Sequence, residues 1–575
     1  MTSSLIRGRP RRGRSHISVR VVHALVGGLV GVVWLVLPGL TISGAIVGGS
    51  ERPVAGAERP VAGAEGQGEV GETSAADLVM PMVAVVAVLV LAGYGFLRRR
   101  RRARGRTTPG GTPVQAAEPA VGELDEQARA LLVEADDWVR VGREELGFVE
   151  GRVALLADRP DASVGAGDVE PFGRALRDAE GELAVAFRMR WQYERGVPGE
   201  AAARRHVLAG IVGRGTEAGR LLDAQAAAFD QVRGLEEGLG GGLGEALAVA
   251  EGRFRELTAR TGVAGETLRE LGLRYAPSAT AVVAGHVEQA KDRLVFATTR
   301  LNHARQSADL GEPERAAGQL RAAEGAIAQA AVFITGVDRL AAELARAAAM
   351  VPAALTGGEV EIAGARESLA GMGTGTGTGT GTLGDEAYVD IPPGELRARV
   401  THADFVLAVV REELISGPYD PLDVLRRIVR GVVPVVTGRT GVLSAAALVC
   451  ARSAVADADD VVATHRAAVG AEARTRLAEA QRLLAPPAPA PSGRGPREES
   501  TELVAADTLA EQARELAEQD IRVHGHPIDG PGTDTDGLAG AILGGILLGG
   551  TPDGGPPPSF GGPHTRDRRG ATTAA

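Results

Sequence analysis

An all-α protein anchored at a membrane is the fold class this sequence predicts, and three observations predict it. Apolar residues recur three to four apart through most of the chain. Two apolar segments, 21–47 and 78–97, lie near the N-terminus. Gly and Pro, numbering 80 and 31 in 575 residues, punctuate the periodic stretches.

Residues 1–20 are basic, with Arg7, Arg9, Arg11, Arg12, Arg14 and Arg20. Segment 21–47, interrupted by Pro38 and Gly39, reads either as a cleaved signal peptide or as a first membrane helix. Ser43-Gly44-Ala45 supplies small residues for cleavage in the first case. Residues 48–77 contain a tandem heptad, Glu51 to Ala57 and Glu58 to Ala64. They are too few and too polar to offset chain entropy, so a disordered extracytoplasmic segment is expected. Segment 78–97 has the roughly 20 residues that a membrane-spanning helix needs. Arg98, Arg99, Arg100, Arg101, Arg102, Arg104 and Arg106 follow at once. Flanking arginines favour the cytoplasmic side and contact anionic lipid headgroups, which places the remaining chain beneath a cell membrane. Lys291 is the sole lysine, a usage that reads as a GC-rich bacterial genome.

After a basic, Pro/Gly-rich juxtamembrane linker (98–118), a helical region is expected over 119–355. Leu131, Ala135, Trp138, Gly142, Leu146, Val149, Val153 and Leu156 form one apolar stripe. A second helix, about 171–193, would face inward through Leu176, Leu183, Phe187 and Trp191. A third carries Val207, Ile211, Leu221, Leu222 and Phe229, and two more run over about 244–271 and 279–309. Gly311-Glu312-Pro313 and Tyr419-Asp420-Pro421 each open a helix, with Pro at the first helical position and an acid at the positive end of the dipole. Long helices joined by short turns make antiparallel hairpins, stacked as a bundle or short solenoid. The Gly-Thr repeat of Met372 to Gly384 lacks the Gly-Lys-Ser/Thr ending of a phosphate loop. It reads as part of a linker over 356–392 that separates a second helical region, 393–522, with a last helix over about 499–519 carrying Leu503, Leu509, Ala513 and Leu516. The Gly/Pro-rich tail, 523–575, is expected to be disordered, with docking of its apolar run Leu538 to Leu548 as the alternative.

Residues 1–106 carry a net charge of +9, from 15 Arg and 6 acids; the whole chain is −10, which leaves −19 on 107–575. An acidic body excludes a nucleic-acid surface there. Cys450, alone in the chain, reads as a small buried apolar side chain in a reducing compartment.

Several strings resemble actinobacterial membrane proteins of the TPM-domain class. They are the Arg run into Thr107 to Thr112, Glu144 to Phe148, Leu221 to Phe229, Thr401 to Asp404, Glu472 to Ala480, Gly544 to Gly550, and Ser559 to Gly562 with Arg566, Arg568 and Arg569. The resemblance implies a membrane span followed by a long helical cytoplasmic region and a Gly-rich tail. In such proteins a TPM domain of well over 100 residues stands outside the membrane, where this chain has residues 48–77. Phosphatase chemistry attached to that domain is therefore not expected.

No catalytic, cofactor-binding or metal constellation is read in the sequence. His524-Gly525-His526 with Asp529 lacks a fourth zinc ligand. His402 and Asp404 lie on different helix faces, and Asp457, Asp459 and Asp460 near His465 read as a solvated helix face. The expected function is a non-enzymatic membrane-anchored scaffold whose helical body binds proteins, itself included. A component of a phosphatase-linked or membrane quality-control system, and a lipid-binding membrane organiser, are the alternatives.

Overall fold

The first helix of the body shows why these segments are helical. α1 (Val121–Leu156) places Ala135, Trp138, Gly142, Leu146, Val149 and Leu156 in the core and leaves Leu131 and Val153 half-buried. Spacings of three and four put that stripe on one face, so packing rather than propensity holds the helix. The computed structural model describes residues 120–157, 164–235, 241–374, 388, 391–485, 496–524, 537–549 and 555–566. Both apolar N-terminal segments, the Arg run and residues 375–387 lie outside them.

Among the described residues the fold is all-α, with no strand. α2 (Ala166–Arg195) and α3 (Ala201–Arg233) form an antiparallel hairpin against α1. Leu176, Leu183 and Phe187 face inward as expected, whereas Trp191 is half-buried beneath Arg195. α4 (Gly242–Arg274) follows, then a single turn, α5 (Pro277–Thr280), and a 3-10 turn (Ala281–Val283). The continuous helix expected over 279–309 is thus broken near Gly285, and α6 (His286–Asp309) begins after it. Gly311, at φ 73°, makes the turn into α7 (Pro313–Thr374).

α7 has 62 residues and touches α4, α6, α8 (Pro393–Ser416), α9 (Pro421–Val432) and α10 (Val442–Thr464). By length and composition it could cross a membrane, but 67% of its most apolar window is buried inside the body. It also carries Glu324, Arg339 and Glu343, each paired within the body. α7 is the spine of the core. It runs past the boundary expected at 355, so residues 356–374 are helix and not linker. One apolar core extends from Phe148 through α7 to Leu547, joining the two regions that the sequence suggested were separate. Residues 115–575 make one compact unit.

Asp420 caps α9 by accepting from the amides of Leu422 and Asp423, both at 3.1 Å. α11 (Ala471–Leu484) and α12 (Pro496–His524) pack on each other and on α10, and α11 also meets α2. Leu503 and Ala513 of α12 are buried, with Leu509 and Leu516 half-buried. Two stretches of the tail, 537–549 and 555–566, depart from the disorder expected over 523–575. A short helix, α13 (Leu538–Leu543), buries Ala541 and Leu543, and Ile546, Leu547 and Phe560 are each 1–3% exposed. Docking of the Leu538 to Leu548 run, the alternative reading, is what the structure has.

Candidate functional site

The tail segments close over a groove built from α1, α2 and α3. Phe172 of α2 and Phe229 of α3 meet edge-on, with ring centroids 5.2 Å apart, and make an aromatic seat. Phe560 stacks on Phe229 at 4.3 Å and stands edge-on to Phe172 at 6.1 Å. Gly142 of α1 is needed beside it, since a Cβ there would press on Leu176 at 3.2 Å and on the Phe560 ring.

Two carboxylates hold the backbone on either side of that ring. Glu145 accepts from the Phe560 amide at 2.7 Å and from Arg321 at 3.1 Å. Asp223 accepts from the amides of Gly562, His564 and Thr565 at 2.9, 3.1 and 3.0 Å, and from the Thr565 hydroxyl at 2.7 Å. Burial pushes the Asp223 pKa up, but the donors from Thr565, His564 and Gly562 outweigh it and hold the carboxyl below its ordinary value. The chain crosses α3 glycine on glycine: a Cβ on Gly219 would meet Trp138 at 2.7 Å and Pro563 at 2.8 Å, and one on Gly562 would overlap the Gly219 carbonyl.

The preceding piece is locked on the other side. Gln329 of α7 donates to the Gly544 carbonyl at 2.6 Å and accepts from Arg293 at 2.9 Å. The Ala467 amide donates to Leu543, and Arg466 makes a two-pronged ion pair with Glu144 at 2.7 and 3.1 Å. Leu548 donates to the Pro556 carbonyl at 3.1 Å, tying the two tail pieces together. Between them lies a cleft of about 480 Å³, walled by Trp138, Asp137, Arg466, His524, Leu548 and Pro557. Its lining mixes apolar side chains with charged ones, the make-up of a peptide or small-molecule cleft.

The membrane-contact arginines, Arg98, Arg99, Arg100, Arg101, Arg102, Arg104 and Arg106, lie outside the described residues, as do His526 and Asp529. His524 stands on the cleft wall, and no group of three metal-ligating side chains occurs among the described residues. Asp404 pairs with Arg366 of α7, and His402 is exposed. The acidic stretch of α10 is not a solvated face. Asp457 and Asp460 share Arg339 of α7 at 3.1 and 2.7 Å, and Asp459 pairs with Arg140 of α1 at 2.8 Å. Burial, opposed by Arg339 and helped by Asp457 and Asp459, raises the Asp460 pKa to about 6. Periodicity could not reveal this, because the partners lie more than a hundred residues away in sequence. Burial, with Arg293 nearby, lowers the pKa of His465 to about 4, and burial likewise lowers that of His286. Cys450 is buried, as the sequence suggests, and burial pushes its thiol up to about 12.

The sequence alone does not disclose the groove. Phe560 and Asp223 sit in strings that carry the family resemblance, yet nothing in either string names the other as its partner. No known protein-family profile matches the chain. Over 442 residues the chain is 29% identical to two Mycobacterium tuberculosis proteins, UPF0603 protein MT2410 of strain CDC 1551 / Oshkosh and UPF0603 protein Rv2345 of strain H37Rv. Each alignment covers 76% of this chain and 63% of the relative, so the chain matches under two thirds of their length. No solved structure matches it.

Proposed function

We propose that the chain is a membrane-anchored helical scaffold, related to TPM-domain membrane proteins, that binds extended polypeptide in grooves between its helices. The observation that carries this reading is the seating of residues 555–566. One aromatic side chain fills a pocket while Glu145 and Asp223 take the flanking amides. That is how helical surfaces recognise linear segments: an anchor supplies affinity and fixed backbone acceptors set register. The TPM kinship draws support from the same place. Three of the strings that carry the resemblance, Glu144 to Phe148, Leu221 to Phe229 and Ser559 to Gly562, meet in this groove.

Anchoring rests on segment 78–97 and the Arg run, with Arg98 to Arg106 lying against anionic headgroups on the cytoplasmic face of a bacterial plasma membrane. Tethering would raise the local concentration of whatever the body holds. The test is purification of the tagged full chain from gently crosslinked native membranes. A partner recovered in stoichiometric yield, from a chain that resists alkaline extraction, is the expected result. Release of the chain by alkali would overturn the anchoring, and recovery without any partner would overturn the scaffold. Replacing Arg98 to Arg102 with Gln should weaken binding of the chain to anionic vesicles, and unchanged binding would remove the Arg run as the lipid contact.

A further inference from the structure

α8 is apolar on two faces. Leu396, Val400, Ala403, Leu407 and Val410 are buried against the body. On the opposite side Phe405, Val409 and Ile415 are 66%, 38% and 86% exposed. Thr401, Phe405, Ala408, Glu412 and Ile415 recur four, three, four and three apart, so they share one outward seam. A surface helix ordinarily presents polar residues on that side.

Charge says what covers the seam. Arg397 and Glu412 are exposed, and neither side chain has a charged partner among the described residues. The other charges along the helix are engaged: Glu395 with Arg399, Asp404 with Arg366, Arg411 with Glu359 and Glu413 with Arg427. Arg397 lies eight residues before Phe405 and Glu412 seven after it. In an antiparallel pair of α8 helices centred between Asp404 and Phe405, each Arg397 therefore faces the Glu412 of the other copy. The same register sets Thr401 against Ala408 and Gly394 against Ile415, small side chains opposite larger ones. A membrane surface would instead favour basic residues on both flanks of the seam.

We propose that the outward face of α8 pairs with the same face of a second copy, antiparallel about a two-fold axis beside Phe405, with reciprocal Arg397–Glu412 ion pairs. Such an interface is isologous, and closes at the dimer. A 24-residue helix is about 36 Å long, so the buried patch falls at the small end of interfaces and the dimer is weak and concentration-dependent. The surface is separate from the tail groove and does not rest on the scaffold reading.

The experiment is sedimentation of the full chain in detergent micelles, over a range of concentrations. The unaltered chain should reach a dimer. Arg397→Glu and Glu412→Arg alone should each weaken it by about tenfold, since each turns two attractions into repulsions. An equal mixture of these two variants should recover it. In the mixed pair one copy carries an acid at both positions and the other an arginine at both, so each contact across the seam is again between unlike charges. Phe405→Glu should leave a monomer of unchanged helicity. Oxidative crosslinking in native membranes gives a second readout. A Thr401→Cys, Ala408→Cys double variant should form a disulfide dimer while either single variant does not, since seven helical residues span about 10 Å, beyond a disulfide's reach. Cys450 is buried and does not interfere. A monomer at every concentration, association that survives Phe405→Glu, or failure of the mixture to recover the dimer would each overturn the proposal. Loss of vesicle binding in a Phe405→Glu chain that was monomeric beforehand would assign the seam to lipid instead.

Discussion

Replacing Phe560 with Ala tests whether the tail is held by its aromatic anchor. Phe560 is 1% exposed and stacks on Phe229 with an interplanar angle of 18°. Removing a ring so buried costs about 3 kcal/mol or more, from lost transfer energy and an unfilled seat. The segment can leave the groove without unfolding α1 to α12, so the cost falls on docking and not on the body. At 1.4 kcal/mol per factor of ten, the docking equilibrium shifts by about 150-fold. Four amides report it directly, those of Phe560, Gly562, His564 and Thr565, since each donates to Glu145 or Asp223. In hydrogen exchange their protection should fall by about two orders of magnitude while that of the α7 core stays unchanged. Unaltered protection at these four amides would refute the anchor, and an equal loss across α7 would refute the separation of docking from global stability.

Asp223→Asn keeps the shape but weakens the acceptor, and should loosen the same segment by about tenfold, read by the same amides. Because the Asp223 pKa is lowered by docking, the contribution is complete above the ordinary carboxylate range and is lost only as pH falls below it, so docking measured at pH 7 and pH 5 should agree. Arg339→Met leaves Asp457 and Asp460 facing each other, 16% and 15% exposed, and should lower the urea-unfolding free energy by about 3 kcal/mol at pH 7. His465 titrates at about 4 in the fold against an ordinary value near 6.5, so protons taken up by the unfolded chain between those values destabilise the protein as pH falls. Asp460, raised to about 6, acts in the opposite sense. His465→Gln should therefore lose roughly 1–2 kcal/mol less than the unaltered chain between pH 7 and pH 5, and an equal loss would contradict the assignment.

Local chemistry made much of the architecture readable. The α1 stripe, the Pro313 and Pro421 helix starts and the inward Phe187 follow from spacing and dihedral preference alone, because each is settled within a turn or two. What stayed hidden depends on distant partners. The linker expected from 356 is helix to Thr374 because α8, α9 and α10 cover it, and Gly-rich composition says nothing of such cover. The tail's glycines read as disorder, yet Gly544 and Gly562 are small because Gln329 and Gly219 come so close. The aspartates of α10 read as solvated because Arg339 and Arg140 arrive from other helices.

The contact between Phe560 and the first helix of the body also sets an order of events. Glu145 and the Phe560 amide are 415 residues apart. At ribosomal rates of about 5–20 residues per second, roughly 20–80 s pass between the appearance of the two. For most of that interval, from the appearance of Phe229 onward, the aromatic seat of Phe172 and Phe229 stands without its cover on every nascent chain. A ribosome that stops before Phe560 releases a product with this seat open, so a covered seat marks a chain made at least as far as Phe560.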